Sequence, residues 1–174
     1  LDVSSASTSL KLNYCAARLS IQAAISDSLH TLTFAPSLIG FGNVGSWTGR
    51  LLCNSGAKML SVLDHTGAIY NSNGLDAQKL SDYVSVTGGV KGFSESEQVS
   101  ELDFYALNAD LLIPAALEQM ITKDRAEKIN CKILVEAANA PTTPDAESLL
   151  LSRGIGVFPA ILCNSGGVTV SFFE

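Results

Sequence analysis

The 174-residue sequence is short of charge, of aromatic side chains and of long apolar runs. Charged residues make up 16% of it and aromatics 7%. No apolar run approaches the roughly 20 residues that a membrane-spanning helix needs, so no membrane partner is expected. Eleven Lys and Arg stand against seventeen Asp and Glu, a net charge of −6. With no basic cluster among them, nucleic acid is not an expected partner either. The cysteines, Cys15, Cys53, Cys131 and Cys163, are scattered, with no CxxC pair and no metal-ligand spacing. They read as structural thiols of a reducing compartment, the mitochondrial matrix or the cytoplasm, and no metal site is expected. His30 and His65 are lone histidines without a partner in sequence. What the chain does have is apolar content, 47% of its residues. That suits a parallel sheet covered on both faces, in a chain long enough to bury one core.

The most informative stretch is Ser37-Leu38-Ile39-Gly40-Phe41-Gly42-Asn43-Val44-Gly45, an apolar run opening into G-x-G-x-x-G. Each glycine has its own task in a dinucleotide site. Gly40 allows the tight turn out of a strand, and Gly42 lets backbone N–H groups approach a pyrophosphate. Gly45 lets the following helix pack close to the sheet with its N-terminal dipole aimed at the phosphates. A lone motif of this kind is weak, since a plain glycine turn in an α/β domain reads the same way, so the context has to support it. Trp47, Leu51 and Leu52 recur at helical spacing until Gly56 closes the segment. Trp47 reads as helix-to-sheet packing rather than a stacking platform. Ala57 to Leu63 then reads as a second strand ending at Asp64, an acid about 20 residues past the glycines and placed for ribose hydroxyls. Upstream, Pro36 is awkward inside a central strand because it removes a ladder donor.

The alternation continues downstream. Gly67 to Gly74 predicts a small hairpin excursion, and Leu75 to Val86 a helix with Asp76 as its cap. Thr87 to Ser100, rich in Gly and Ser, is expected to be a surface loop. Ala109 to Ile113 predicts a strand stopped by Pro114, and Thr122 caps a helix through Ile129. Cys131 to Glu136 is the next strand. Thr143 caps a helix that has Pro144 at its first position and runs to Arg153. Gly154 to Pro159 supplies the last short strand. The fold class is therefore α/β, a doubly wound parallel sheet, in which ligands sit at the carboxyl ends of strands. Gly40, Asp64, Pro114 and Asn139 mark those ends, so all four can face one crevice.

From Ile39 to Glu174 the chain resembles the nucleotide-binding domain of the glutamate dehydrogenases. Six stretches carry the likeness, in family order: Gly40-Phe41-Gly42-Asn43-Val44-Gly45-Ser46-Trp47, Gly67 to Asn71, Asn73 to Asp76, Leu112 to Glu118, Glu136 to Pro144, and Asn164 to Ser171. The related leucine and phenylalanine dehydrogenases share the glycine motif, and the ending Gly-Val-Thr-Val-Ser favours the glutamate branch. The resemblance implies a Rossmann-like domain for residues 37–174 with NAD as cofactor. The glycine turn (Gly40, Gly42, Asn43, Val44, Gly45) would hold the pyrophosphate, Asp64 the ribose and Ala115 the adenosine side. Asn139 and Asn164 would sit by the nicotinamide, and Val168 and Ser171 would meet the substrate's side-chain carboxylate. Two plainer readings stay open: Asn139, two residues before Pro141, as a turn former, and Ser171 as an ordinary helix residue.

The departures are as specific as the matches. Where the family has a Thr-Gly-Arg-Gly turn, this chain has Ala16-Ala17-Arg18-Leu19. Pro36 falls in the family's first strand, and Ala160 stands where an aspartate is usual. Residues 1–36 thus read as a divergent segment with one helix, over Ala16 to Leu29. The chain starts at Leu1 and stops at Glu174 inside an apolar run, so both ends read as cut and the domain as incomplete at its C-terminus. None of the seven lysines sits in the glycine-rich context of the family's catalytic lysines, and no catalytic residue is assigned. Oxidative deamination of L-glutamate to 2-oxoglutarate and ammonia needs a base, so these residues alone are expected to be inactive. Glutamate or 2-oxoglutarate would bind only with a substrate domain present, and a homo-oligomer or larger assembly is implied. The other reading is a catalytically dead remnant that serves as a structural or protein-interaction module.

Overall fold

The structure is a computed structural model that describes residues 34–165; the helix expected over Ala16 to Leu29, and both Val168 and Ser171, lie outside the described residues. Seven strands form one sheet: β1 (Pro36–Ile39), β2 (Ser61–Asp64), β3 (Gly67–Tyr70), β4 (Glu97–Val99), β5 (Ala109–Pro114), β6 (Cys131–Val135) and β7 (Gly156–Phe158). The helices among the described residues are α1 (Asn43–Asn54), α2 (Ala77–Thr87), α3 (Glu101–Ala106), α4 (Lys123–Lys128), α5 (Pro144–Ser152) and α6 (Ala160–Cys163).

The strand order is β4-β3-β2-β1-β5-β6-β7. β2, β1, β5, β6 and β7 run parallel, while β3 is antiparallel to β2 and β4 to β3. The doubly wound α/β sheet is present, then, but it is mixed rather than all parallel. The cause is local. Only His65 and Thr66 separate β2 from β3, and so short a link permits an antiparallel return but no crossover. The expected hairpin excursion is a full member of the sheet. Its partner β4 lies within the segment read as a surface loop, where Val90 and Phe93 are also buried. That expectation is corrected: two apolar anchors and a three-residue edge strand were hidden by the surrounding Gly and Ser.

Side chains alternate across each strand, so a continuous apolar run supplies both faces. Leu38, Val62, Ile69, Leu111 and Ile113 pack on one side with Leu52, Met59 and Leu80, under α1 and α2. Ile39, Leu63, Ala68, Leu112 and Leu134 pack on the other with Phe104, Ile121, Ile129 and Leu150, under α3, α4 and α5. Ser37 and Ser61, opposite each other on β1 and β2, satisfy their buried hydroxyls mutually at 2.7 Å. Pro36 fits because it is the first residue of β1, where its carbonyl still accepts from Leu60 N–H at 2.9 Å. The chain leaves β1 toward β2 on one side and returns to β5 on the other. The crevice of a doubly wound sheet opens at that switch point, above the carboxyl ends of β1 and β5.

Candidate functional site

Gly40 closes β1 with φ +91°, a conformation that favours glycine. Its N–H donates to the Leu63 carbonyl at 2.7 Å, which fixes the turn to β2. A Cβ at Gly40 would lie 2.7 Å from Ala116 Cβ and 3.0 Å from the Ala115 carbonyl oxygen. A Cβ at Gly45 would lie 2.0 Å from the Gly40 carbonyl oxygen, so α1 rests directly on the turn. Gly42 differs from both. Its φ is −78°, and nothing lies within 4 Å of the Cβ position.

Gly42 is also the N-cap of α1, which has no side-chain cap and no acid in its first turn. The first intrahelical bond runs from Ser46 N–H to the Gly42 carbonyl. The N–H groups of Asn43, Val44 and Gly45 therefore precede it and point out of the helix, as first-turn amides do. By contrast Asp76 caps α2 by accepting from Gln78 N–H and Lys79 N–H, as its sequence position predicts. Thr122 and Thr143 hold the N-cap positions of α4 and α5 without closing a side-chain cap bond.

Two hollows meet above this turn. One, of about 570 Å³, runs from Gly40 and Gly42 past Asp64 and His65 to Tyr105 and Arg125. The other, of about 960 Å³, is bounded by Val44, Glu118, Asn139 and Asn164. Ala115, Ala116 and Leu117 wall both, so together they make one crevice of the size small-molecule sites occupy. The loops after β5 and β6 are tied across it. Gln119 N–H donates to the Ala140 carbonyl at 2.9 Å, and both residues have positive φ, 53° and 40°.

Asp64 ends β2 in the wall of the first hollow with its carboxylate already engaged. Oδ1 accepts from Thr66 N–H at 2.7 Å and from the Thr66 hydroxyl at 2.5 Å, and Oδ2 accepts from Val90 N–H at 3.0 Å. Its side chain is 8% exposed, whereas that of His65 is 77% exposed with Nδ1 3.9 Å from Oδ2. Asp64 thus braces the β2–β3 turn as well as facing the crevice. Asn139 and Asn164 meet directly: Nδ2 of Asn164 donates to Oδ1 of Asn139 at 2.7 Å. Trp47 is paired with Arg50, whose guanidinium stands 3.9 Å from the ring centroid.

Several residues of the site were given no role by the sequence. Glu136 is buried and its Oε2 accepts from Ala160 N–H at 2.9 Å, which anchors the short α6 and so Asn164. Glu101, Tyr105 and Arg125 line the far end of the first hollow. Burial pushes the Tyr105 phenol up to about 12, against the opposing pull of Arg125. Burial likewise raises the Cys53 thiol, Cys131 to about 12 and Cys163 to about 11, so these thiols stay protonated at neutral pH. Among the described residues no cluster of His, Cys, Asp or Glu could hold a metal ion, and no helix is long and apolar enough to cross a membrane.

A family model described as glutamate/leucine/phenylalanine/valine dehydrogenase matches residues 3–174. "NADP-specific glutamate dehydrogenase A1" of Halobacterium salinarum is 43% identical over 136 residues, covering 78% of this chain and 33% of that protein. Glutamate dehydrogenase A2 of the same organism is 47% identical over 135 residues, covering 78% and 32%. The chain thus spans about a third of the length of these curated relatives. Among solved structures, the hetero-hexameric glutamate dehydrogenase of Thermus thermophilus matches with a TM-score of 0.84 at 25% identity, over 94% of this chain and 39% of that one. Glutamate dehydrogenase of Peptoniphilus asaccharolyticus matches with a TM-score of 0.73 at 31% identity, over 95% and 38%.

Proposed function

The chain belongs to the glutamate/leucine/phenylalanine/valine dehydrogenase family, and we propose that it is the dinucleotide-binding part of a glutamate dehydrogenase with NAD(H) as cofactor. One observation carries this reading. Of the three motif glycines, Gly40 and Gly45 are demanded by neighbouring protein atoms, whereas Gly42 faces empty space beside uncapped helix amides. No neighbouring protein atom excludes a side chain there, whereas a pyrophosphate in that space would. The backbone N–H groups of Asn43 and Val44 would donate to it, Ala115 would line the adenosine side, and Asn139 and Asn164 would border the nicotinamide.

When bound, NAD supplies the hydride acceptor; this chain's residues bind and orient it. Two features favour NAD over NADP. The Asp64 carboxylate lies in the wall where a 2′-phosphate would come. The nearby arginine, Arg125, is already paired with Glu101 at 2.6 Å and with the Met120 carbonyl at 2.6 Å. Val168 and Ser171 are proposed to meet the substrate's carboxylate, and an oligomeric assembly is proposed by analogy with the hetero-hexameric relative. Turnover of glutamate needs a base to manage the protons of deamination, and none of these residues is assigned that task. With glutamate and NAD, the 174 residues alone are expected to form no NADH.

Calorimetric titration with NAD, NADH, NADP and NADPH tests the reading. Tighter binding of NAD and NADH supports it, and equal or tighter NADP binding overturns the preference. No binding of any of the four overturns the cofactor assignment.

A further inference from the structure

The chain has two methionines, and their surroundings are opposite. Met59 is 0% exposed in the core, whereas Met120 is half-buried, with its thioether in a contact at the surface. That contact closes a turn: Leu117 N–H donates to Sδ of Met120 at 3.4 Å. The backbone on either side is pinned. Ala115 N–H donates to the Ile39 carbonyl at 2.7 Å, Gln119 N–H to the Ala140 carbonyl at 2.9 Å and Ile121 N–H to the Pro141 carbonyl at 2.8 Å. Arg125 donates to the Met120 carbonyl itself at 2.6 Å. Between those anchors Ala116, Leu117 and Glu118 are exposed, Leu117 by 72%, and the sulfur ties the middle of the three. Leu117 walls both hollows of the crevice. Met120 also packs against the core cluster of Ile39, Leu112 and Ile121.

We propose that Met120 is a peroxide-sensitive modification site whose oxidation releases the Leu117 turn and weakens cofactor binding. The step balances with the peroxide alone. Its O–O bond breaks, one oxygen joins Sδ as the sulfoxide and the other leaves as water, so sulfur is oxidised and peroxide reduced. A sulfoxide is polar where the thioether was apolar, which opposes packing on the core cluster. Its oxygen needs about 2.9 Å to an N–H donor, and the 3.4 Å between the Leu117 nitrogen and Sδ leaves no room for it. Either Leu117 or the thioether must then move, and the tie at the crevice wall is lost. Burial protects Met59, and the protonated thiols of Cys53, Cys131 and Cys163 are poor competitors for the oxidant. Methionine sulfoxide reductases reverse the change. This rests on the dinucleotide reading above and adds a redox response to it.

The test treats the 174-residue chain with hydrogen peroxide at neutral pH, then with dithiothreitol. The second step reverses disulfides and sulfenic acids but leaves a methionine sulfoxide in place. Peptide mass mapping should find one added oxygen on Met120 and none on Met59. Titration with NAD should then show affinity lower by about fivefold, the worth of one lost hydrogen bond. The two methionine sulfoxide reductases, one for each sulfoxide epimer, should restore it. Met120→Leu keeps the volume without the sulfur, so its treated and untreated samples should agree within about twofold, whatever their own affinity. Met59 oxidised as fast as Met120 would overturn the proposal, as would Met120 left intact while N-acetylmethionine in the same tube is consumed. Full oxidation of Met120 with unchanged affinity for NAD would overturn it too, and so would Met120→Leu losing as much affinity to peroxide; both leave the cofactor assignment standing. Failure of the untreated chain to bind NAD would overturn both.

Discussion

Gly42 and Gly45 stand three residues apart in one motif, yet their replacement by alanine should fail in opposite ways. At Gly42 the backbone φ of −78° is open to any residue, and the new methyl group meets no protein atom within 4 Å. Alanine is a poorer N-cap than glycine by about 0.5–1 kcal/mol, and a stiffer unfolded chain returns a similar amount. Stability should therefore stay within about 1 kcal/mol of the unsubstituted chain. Binding should not. A methyl in that space displaces the pyrophosphate from the first-turn amides, and two bonds to a charged group at about 1.5 kcal/mol each make at least about 3 kcal/mol. That is roughly a 150-fold loss of affinity for NAD and for ADP-ribose alike. At Gly45 the Cβ would sit 2.0 Å from the Gly40 carbonyl oxygen. The turn cannot yield, because Gly40 N–H is bonded to Leu63 and Ala115 N–H to Ile39, each at 2.7 Å. The helix must lift instead, at a cost of about 3 kcal/mol or more. Urea denaturation and calorimetry on both variants separate the two effects. Gly42→Ala binding NAD like the parent would show that the open space is not the pyrophosphate's, and Gly45→Ala melting like the parent would refute the close approach.

Glu136→Ala should cost about 1.5–3 kcal/mol, since it removes the carboxylate from Ala160 N–H. Asn164 donates its own N–H to the Ala160 carbonyl and so loses its registration against Asn139; affinity for NAD should fall more than for ADP-ribose, which lacks the nicotinamide, and an equal fall would refute the link. Tyr105 makes the fold sensitive to alkali. Its folded pKa of about 12 lies above the unfolded value of about 10, so its contribution is complete below pH 10 and drains away as pH rises through 12. The unsubstituted chain should lose about 2 kcal/mol more than Tyr105→Phe over that range in urea midpoints, and parallel losses would refute the assignment.

Much of the molecule is legible before any coordinates, because its signals are local. An apolar run into G-x-G-x-x-G, helical spacing closed at Gly56, and an acid at Asp64 depend on residues near one another in sequence. The same holds for the Asp76 cap and for Pro144 at the start of its helix, since capping is settled within one turn. The segment from Thr87 to Ser100 was misread for the converse reason. Its composition is that of a loop, but Val90 and Phe93 are buried against strands and helices distant in sequence.

The strand–helix alternation, apart from β4, α3 and α6, and the glycine turn between β1 and α1 were thus legible in the sequence alone, through backbone sterics and hydrophobic period. Three things were decided only by the tertiary structure: that Gly42 alone of the motif faces empty space, that Asp64 spends its oxygens on Thr66 and Val90, and that Glu101, Tyr105 and Arg125 converge at the end of the hollow. Each depends on which atoms from separate elements come within a few ångströms, and that distance is set by how the helices pack on the sheet.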